Sequence, residues 1–250
     1  MKQSQFYYLL RRGLFSAGSA IIKNGLVMFN KFTTAGISHP AQGSAEFNGT
    51  SDYITTPING SDFPIGTFSI SAWVYSTQAT GYKSIAGIDA SESISRGSFY
   101  FQNGNGKWTF SIVNTSDVAV SAEQSAAVVA NKWYHLLGTF NGSNVKLYVD
   151  GSLEDTTAFT GTLTTPTGDM LVGAAYFNDA IGDWWPGNLA NVAIWNRALS
   201  SDEINSVMFK SYDSLEASEK NGLQAWYSLD DISGTSVPDS SGNGNTGTAN

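Results

Sequence analysis

The segment Thr67-Phe-Ser-Ile-Ser-Ala-Trp-Val-Tyr-Ser76 sets the tightest limit on what this chain can build. Phe68, Ile70, Ala72 and Val74 fall on one face of it, and Ser69, Ser71, Trp73 and Tyr75 on the other. A period of two belongs to a strand; a helix would scatter those four apolar residues around its axis. The signature recurs. Residues 98–102 and 107–113 flank Asn103-Gly-Asn-Gly106, and residues 132–140 and 145–149 flank Asn141-Gly-Ser-Asn144, so two hairpins are expected. Asp150-Gly151 turns into a further strand over 152–155, and strand patterns return at 169–174 and 188–195. Strands separated by turns at this spacing predict a sandwich or a barrel. A single helix is expected over 200–212. Ser200 or Ser201 can cap it, Asp202 and Glu203 suit its first turn, and Ile204, Val207 and Met208 share a face.

Composition agrees. Only 14% of the 250 residues are charged, too few to clothe the solvent faces of a helix bundle, while 41% are hydrophobic, enough for a large core. With no cysteine, the chain has neither disulfides nor a thiolate metal site. The net charge of −8 speaks against nucleic acid as a partner. Its distribution says more. Residues 1–45 carry Lys2, Arg11, Arg12, Lys23 and Lys31 and no acid, whereas residues 46–250 carry all 21 acids against eight bases. A basic arm attached to an acidic body has the character of an interaction tail. The arm's apolar runs are broken by Arg11 and Arg12 and by Ser and Gly, so no signal peptide is expected, and no stretch reaches the length of a membrane span.

Four segments, in order, resemble the concanavalin A-like lectin/glucanase superfamily, in its laminin G-like form from bacteria and phages. They are Ala45-Glu-Phe-Asn-Gly-Thr-Ser-Asp-Tyr-Ile54; Phe68-Ser-Ile-Ser-Ala-Trp-Val74; Lys132-Trp-Tyr-His-Leu-Leu-Gly-Thr-Phe-Asn-Gly142 running into Val145-Lys-Leu-Tyr-Val-Asp-Gly151; and Gly187-Asn-Leu-Ala-Asn-Val-Ala-Ile-Trp-Asn-Arg-Ala-Leu-Ser200. The resemblance implies an all-β fold, a two-sheet antiparallel jelly-roll β-sandwich with one short helix, here with an N-terminal extension. The division expected is a basic arm over 1–43 and a sandwich over 44–250. Leu223-Gln-Ala-Trp-Tyr-Ser-Leu-Asp-Asp231 and Asp239-Ser-Ser-Gly-Asn-Gly-Asn-Thr-Gly247 resemble the strand and loop with which the family opens, yet stand last. Either the domain is circularly permuted, with residues 221–250 completing the sheet, or a second, truncated copy begins there. Asn24-Gly-Leu echoes Asn221-Gly-Leu, so the earlier segment is a rival for the same strand position.

Glucanases of this fold gather acids on one strand, and no such pattern is found here. Glu154 and Asp155 point to opposite faces, Asp89 and Glu92 are expected in a Gly/Ser-rich loop, and no serine has a nucleophile elbow around it. His39 precedes Pro40 in a linker, and His135 fills a position the family uses structurally. The chain is therefore expected not to be an enzyme. For glycans, the candidates are Tyr176, Asp183, Trp184 and Trp185, where aromatic faces stand beside acids; alternation leaves at most one of the two tryptophans for the core. Tyr82 and Tyr75 are weaker candidates. Calcium is the one cofactor entertained, with Asp52, Asp239 and Asn243 as ligands; turn formation by the same residues is the plainer reading. Asn48, Asn59, Asn114 and Asn141 match the glycosylation acceptor pattern and are read as turn residues.

The leading expectation is a non-catalytic structural and recognition protein on a phage virion surface, as a tail or decoration component. Phe6, Tyr7, Arg11 and Arg12 of the arm would dock it to other assembly proteins. The alternative is a free carbohydrate-binding module, bacterial or secreted, that meets cell-surface glycans. A homo-oligomer fits either; nucleic acid and a membrane span fit neither.

Overall fold

The computed structural model describes residues 21–23, 26–28, 43–60, 63, 66–90, 98–177 and 180–250. The chain separates into two compact units, residues 1–39 and residues 40–250. In the first, β1 (Ile21–Lys23) pairs antiparallel with β2 (Leu26–Met28), Lys23 opposite Leu26. Phe6, Tyr7, Arg11, Arg12 and His39 lie outside the described residues.

The second unit runs β3 (Ala45–Asn48), β4 (Ile54–Thr55), β5 (Phe68–Ser76), β6 (Tyr82–Ala90), β7 (Phe99–Gly104), β8 (Trp108–Val113) and β9 (Ala119–Glu123). It continues through β10 (Trp133–Phe140), β11 (Asn144–Val149), β12 (Ser152–Ala158), β13 (Pro166–Val172), β14 (Ala175–Phe177), β15 (Ala180–Gly182) and β16 (Pro186–Trp195). Two short helices, α1 (Ser201–Val207) and α2 (Ala217–Lys220), precede β17 (Leu223–Tyr227), β18 (Ser236–Val237) and β19 (Gly247–Ala249).

All pairings between the described strands are antiparallel, and they build the two-sheet sandwich that the resemblance implied. One sheet has the order β12-β11-β10-β5-β16-β17, with β3 also on β16; the other has the order β18-β19-β4-β13-β6-β7-β8-β9. Phe68, Ile70, Ala72 and Val74 join Phe99, Phe101, Phe110, Phe140 and Leu136 in the core between the sheets. Gly138 is required there: a Cβ on it would stand 2.5 Å from the Phe110 ring. Residues 223–227, 236–237 and 247–249 are strands of these same two sheets. β17 pairs with β16 and β19 with β4.

The first sheet is covered on its outer side as well. Leu199, Ile204 and Val207 pack with Trp195, Trp226 and Leu137 into a second core under the helices. Ser69 accepts from the Leu199 amide at 2.9 Å and donates to the Arg197 carbonyl at 2.8 Å. The Trp73 indole donates to the Met208 carbonyl at 3.0 Å, and that of Trp195 to the Glu219 carbonyl at 2.7 Å. Helix α1 starts at the Ser200 cap with a full capping box to Glu203. It stops at Val207 rather than reaching 212, because the Met208 carbonyl is bonded to Trp73 and Lys210 turns away to Glu219, 2.7 Å off. A 3-10 turn over Tyr212–Ser214 follows, and α2 is a second helix that periodicity did not reveal. Asp89, expected in a loop, is part of β6.

Candidate functional site

Among the described residues, no helix covers the outer face of the other sheet. On the outer face of β6–β9, alternation presents small and polar residues while their neighbours enter the core. In β7, Phe99 and Phe101 point inward and Tyr100 and Gln102 outward; in β8, Trp108, Phe110 and Ile112 point inward and Thr109 and Ser111 outward. Ser121 and Glu123 of β9 continue the row. Together with Tyr82, Ala119 and Asp183 they line a groove of about 520 Å³.

Its floor is hydroxylated. Ser111 and Ser121 share a hydrogen bond of 2.8 Å across the β8–β9 ladder, and Thr109 donates to the Lys107 carbonyl at 3.3 Å. Two tyrosines flank it. Tyr82 is 57% exposed, whereas Tyr100 is mostly buried against Val113 and Ala175 and donates to the Tyr176 carbonyl at 3.4 Å. Hairpin β14–β15 (register Ala175↔Gly182) thus rests on the sheet and leads straight into Asp183. Asp183 holds a left-handed backbone, φ 52°, and its carbonyl accepts the Ser84 amide at 2.7 Å. Partial burial pushes its carboxyl upward from the usual carboxylate range, and Lys83 partly offsets that. Glu123 meets Lys107 at 2.6 Å, with both side chains more than two-fifths exposed. Each groove carboxylate therefore has a lysine for company, and among the described residues no arginine lines the groove.

Of the sequence candidates for glycan contact, Asp183 lies on this groove, as does Tyr82. Trp184 is half-buried and is not among the lining residues. Trp185 is 0% exposed and stacks on Trp108 with ring centroids 6.1 Å apart, so it is core and has no face to offer a sugar. Tyr176 meets the site through its backbone, at the Tyr100 hydroxyl. Tyr75 packs on Trp133 across β5 and β10 of the other sheet. Tyr100, Gln102, Thr109, Ser111, Ser121 and Glu123 escaped the sequence reading. Their signal was the polar half of three successive alternating strands.

The calcium candidates are committed elsewhere. Both oxygens of Asp239 accept hydrogen bonds: from the Trp226 and Ser241 amides on one side, and from the Asn245 amide and Ser241 hydroxyl on the other, at 2.8–3.0 Å. Asn243 donates to the Leu223 and Gln224 carbonyls, and Asp52 accepts from the Asn48 amide and side chain within its own turn. Asp239 and Asn243 share one loop; Asp52 belongs to another. Among the described residues, no three His, Cys, Asp or Glu side chains are placed to hold a metal ion. His135 is buried against Trp73, and burial lowers its pKa to about 3, so it is a neutral core residue. Among the described residues, no helix is long and apolar enough to cross a membrane.

Residues 48–205 match the family described as the concanavalin A-like lectin/glucanases superfamily, and the chain belongs to it. Similar folds include a candidate carbohydrate-binding protein from Bacteroides ovatus (16% identity, TM-score 0.64), with 83% of this chain and 57% of that one covered. A SAP-like pentraxin from Limulus polyphemus shares 14% identity at TM-score 0.53, covering 65% of this chain and 80% of that one. The CBM40 of the Ruminococcus gnavus IT-sialidase, solved with α2,3-sialyllactose, shares 15% identity at TM-score 0.52, covering 66% and 95%. This chain spans little more than half the length of the Bacteroides ovatus protein. Among curated proteins, none matches the chain in sequence.

Proposed function

We propose that the chain is a non-catalytic, lectin-like module that binds a neutral glycan in the β6–β9 groove. The observation that carries this reading is the groove itself: a hydroxyl- and amide-bearing floor, with an exposed tyrosine at its rim, where sugar hydroxyls find polar partners and a ring finds an aromatic face. The carbohydrate-binding character of the Bacteroides ovatus and Ruminococcus gnavus proteins supports it. Charge sets the class of sugar. Among the described residues that line the groove there is no lysine or arginine to meet a sialic acid or a sulfate, and Asp183 and Glu123 give it carboxylates instead. Arg197, for its part, is held by Glu203.

A glycan array followed by calorimetry tests the proposal, using wild type, Tyr82→Ala and Gln102→Ala. Neutral glycans should bind, and each variant should weaken binding about tenfold, the scale of one lost stacking or hydrogen-bonding contact. Binding of acidic glycans alone, or equal binding by all three proteins, would refute it. Cleavage of the bound glycan would refute its non-catalytic part.

The charge asymmetry supports a second role. Residues 1–45, with five bases and no acid, suit docking to an assembly such as a virion surface, from which the sandwich would project towards glycans outside the cell. Particle incorporation that survives deletion of residues 1–38 would reject that role.

A further inference from the structure

A second hollow lies on the other sheet, and it is built differently. Strand β16 bulges between Ala190 and Ala193, where its partner on one edge changes from β3 to β17. A bulge re-aims the side chain it carries. Asn191 sits in it with φ 47°, only 5% exposed, and lines a pocket of about 580 Å³. Its side-chain Nδ2 is buried without a hydrogen-bond partner, and so is the indole Nε1 of Trp226, which is 2% exposed and lines the same pocket. Tyr212 forms an aromatic wall, its ring 6.5 Å from that of Trp226. At the mouth stand three exposed carboxylates, Asp213, Asp230 and Asp231.

The two kinds of group constrain the occupant in opposite ways. Orphaned N–H groups demand an acceptor, and leaving them buried and unmet is costly. Carboxylates demand donors. An ammonium or guanidinium ion supplies donors alone and would leave both N–H groups unmet. A bare metal ion would repel them, and no three acids are placed to hold one among the described residues. A hydroxyl both accepts and donates. We infer that this pocket is a second binding site for a neutral polyhydroxylated ligand, a saccharide unit, with Asn191 and Trp226 donating to its oxygens and the aspartates accepting from its hydroxyls. It stands independently of the β6–β9 groove, on the opposite sheet, and would make the module bivalent.

Nitrogen-15 spectra of the full chain read both sites at once, through the side-chain N–H signals of Asn191 and Trp226 here and the Gln102 amide in the groove. The probes are D-glucose, D-galactose, D-mannose, L-arabinose and N-acetyl-D-glucosamine, with methylammonium chloride as a donor-only control. At least one sugar should move the Asn191 and Trp226 signals saturably. Asp231→Asn, at an exposed position, should weaken that response about tenfold, the cost of one charge-assisted bond, while Tyr82→Ala leaves it unchanged. Silence at Asn191 and Trp226 with every sugar means that water alone fills the pocket and overturns the inference, whatever Gln102 does. An equal response to methylammonium overturns it too. Silence at Gln102 alone counts against the groove and leaves this pocket standing.

Discussion

Arg197 grips Glu203 through both terminal guanidinium nitrogens, at 2.8 and 2.6 Å, just where the sandwich hands the chain to helix α1. The same carboxylate accepts the Ser200 amide at 2.9 Å, so one residue closes both the ion pair and the capping box. The Arg197 hydrogen bonds, helped by those from Ser200, pull the Glu203 pKa from 4.5 to about 2. A carboxylate depressed in the folded state contributes stability that is complete above the unfolded value and fades as the pH falls through the folded one. Thermal melts should therefore show stability falling between roughly pH 4.5 and 2, by about 2 kcal/mol from this group. Glu203→Gln should flatten that part of the profile and lower stability at neutral pH. A variant with an unchanged acid profile would show that the grip is unimportant.

The paired tryptophans should separate cleanly on mutation. Trp185→Ala removes a fully buried ring from its stack on Trp108 and should cost about 3–5 kcal/mol in chemical denaturation. Trp184→Ala, at a half-buried site, should cost about 1 kcal/mol. Equal losses would contradict the placement of these two side chains.

Gly138→Ala should be disproportionately damaging for the addition of one methyl group. The new Cβ would collide with the Phe110 ring in the middle of the core, and over-packing of this kind costs about 1–3 kcal/mol. Phe110→Leu in the same background should recover part of the loss, which a double-mutant cycle would measure.

Asp239 ties the loop between β18 and β19 to itself and to β17 through four accepted hydrogen bonds. Asp239→Ala should cost about 2–3 kcal/mol and speed amide exchange at Trp226, Ser241 and Asn245, since partly buried donors lose their acceptor. Calcium bound there would have to displace those bonds. Melting temperatures in calcium and in chelator should therefore agree, and a large rise with calcium would mean that the loop rearranges around the ion.

Strands were legible in this sequence because burial on one face writes itself as alternation; Thr67–Ser76 is the plainest instance, and β5 occupies residues 68–76 of it. The helix cap was legible because Ser200 and Glu203 stand three apart, but the helix end was not. It depends on the Trp73 indole, 135 residues away in the chain. The groove was legible in part. Asp183 and Tyr82 attracted notice as polar and aromatic residues near turns, whereas Ser111, Thr109 and Gln102 look unremarkable until three strands bring them onto one face. Trp185 misled for the converse reason. A tryptophan beside acids resembles a sugar platform, and only the partner ring of Trp108, from a strand far away in sequence, reveals it as core.

Strand β16 receives β3 along its first half and β17 along its second, on the same edge. Residues 45–48 and 223–227 are therefore neighbours in space with almost the whole domain strung between them. Closing so long a loop is slow, and contacts of this range form late. A ribosome making this chain would release β5 through β16 well before β17 existed, with an open edge and the indole side of Trp195 still uncovered. The β4 edge of the other sheet waits longer still, until residue 249 joins it, and that interval is when the nascent sandwich most needs protection from pairing with a copy of itself.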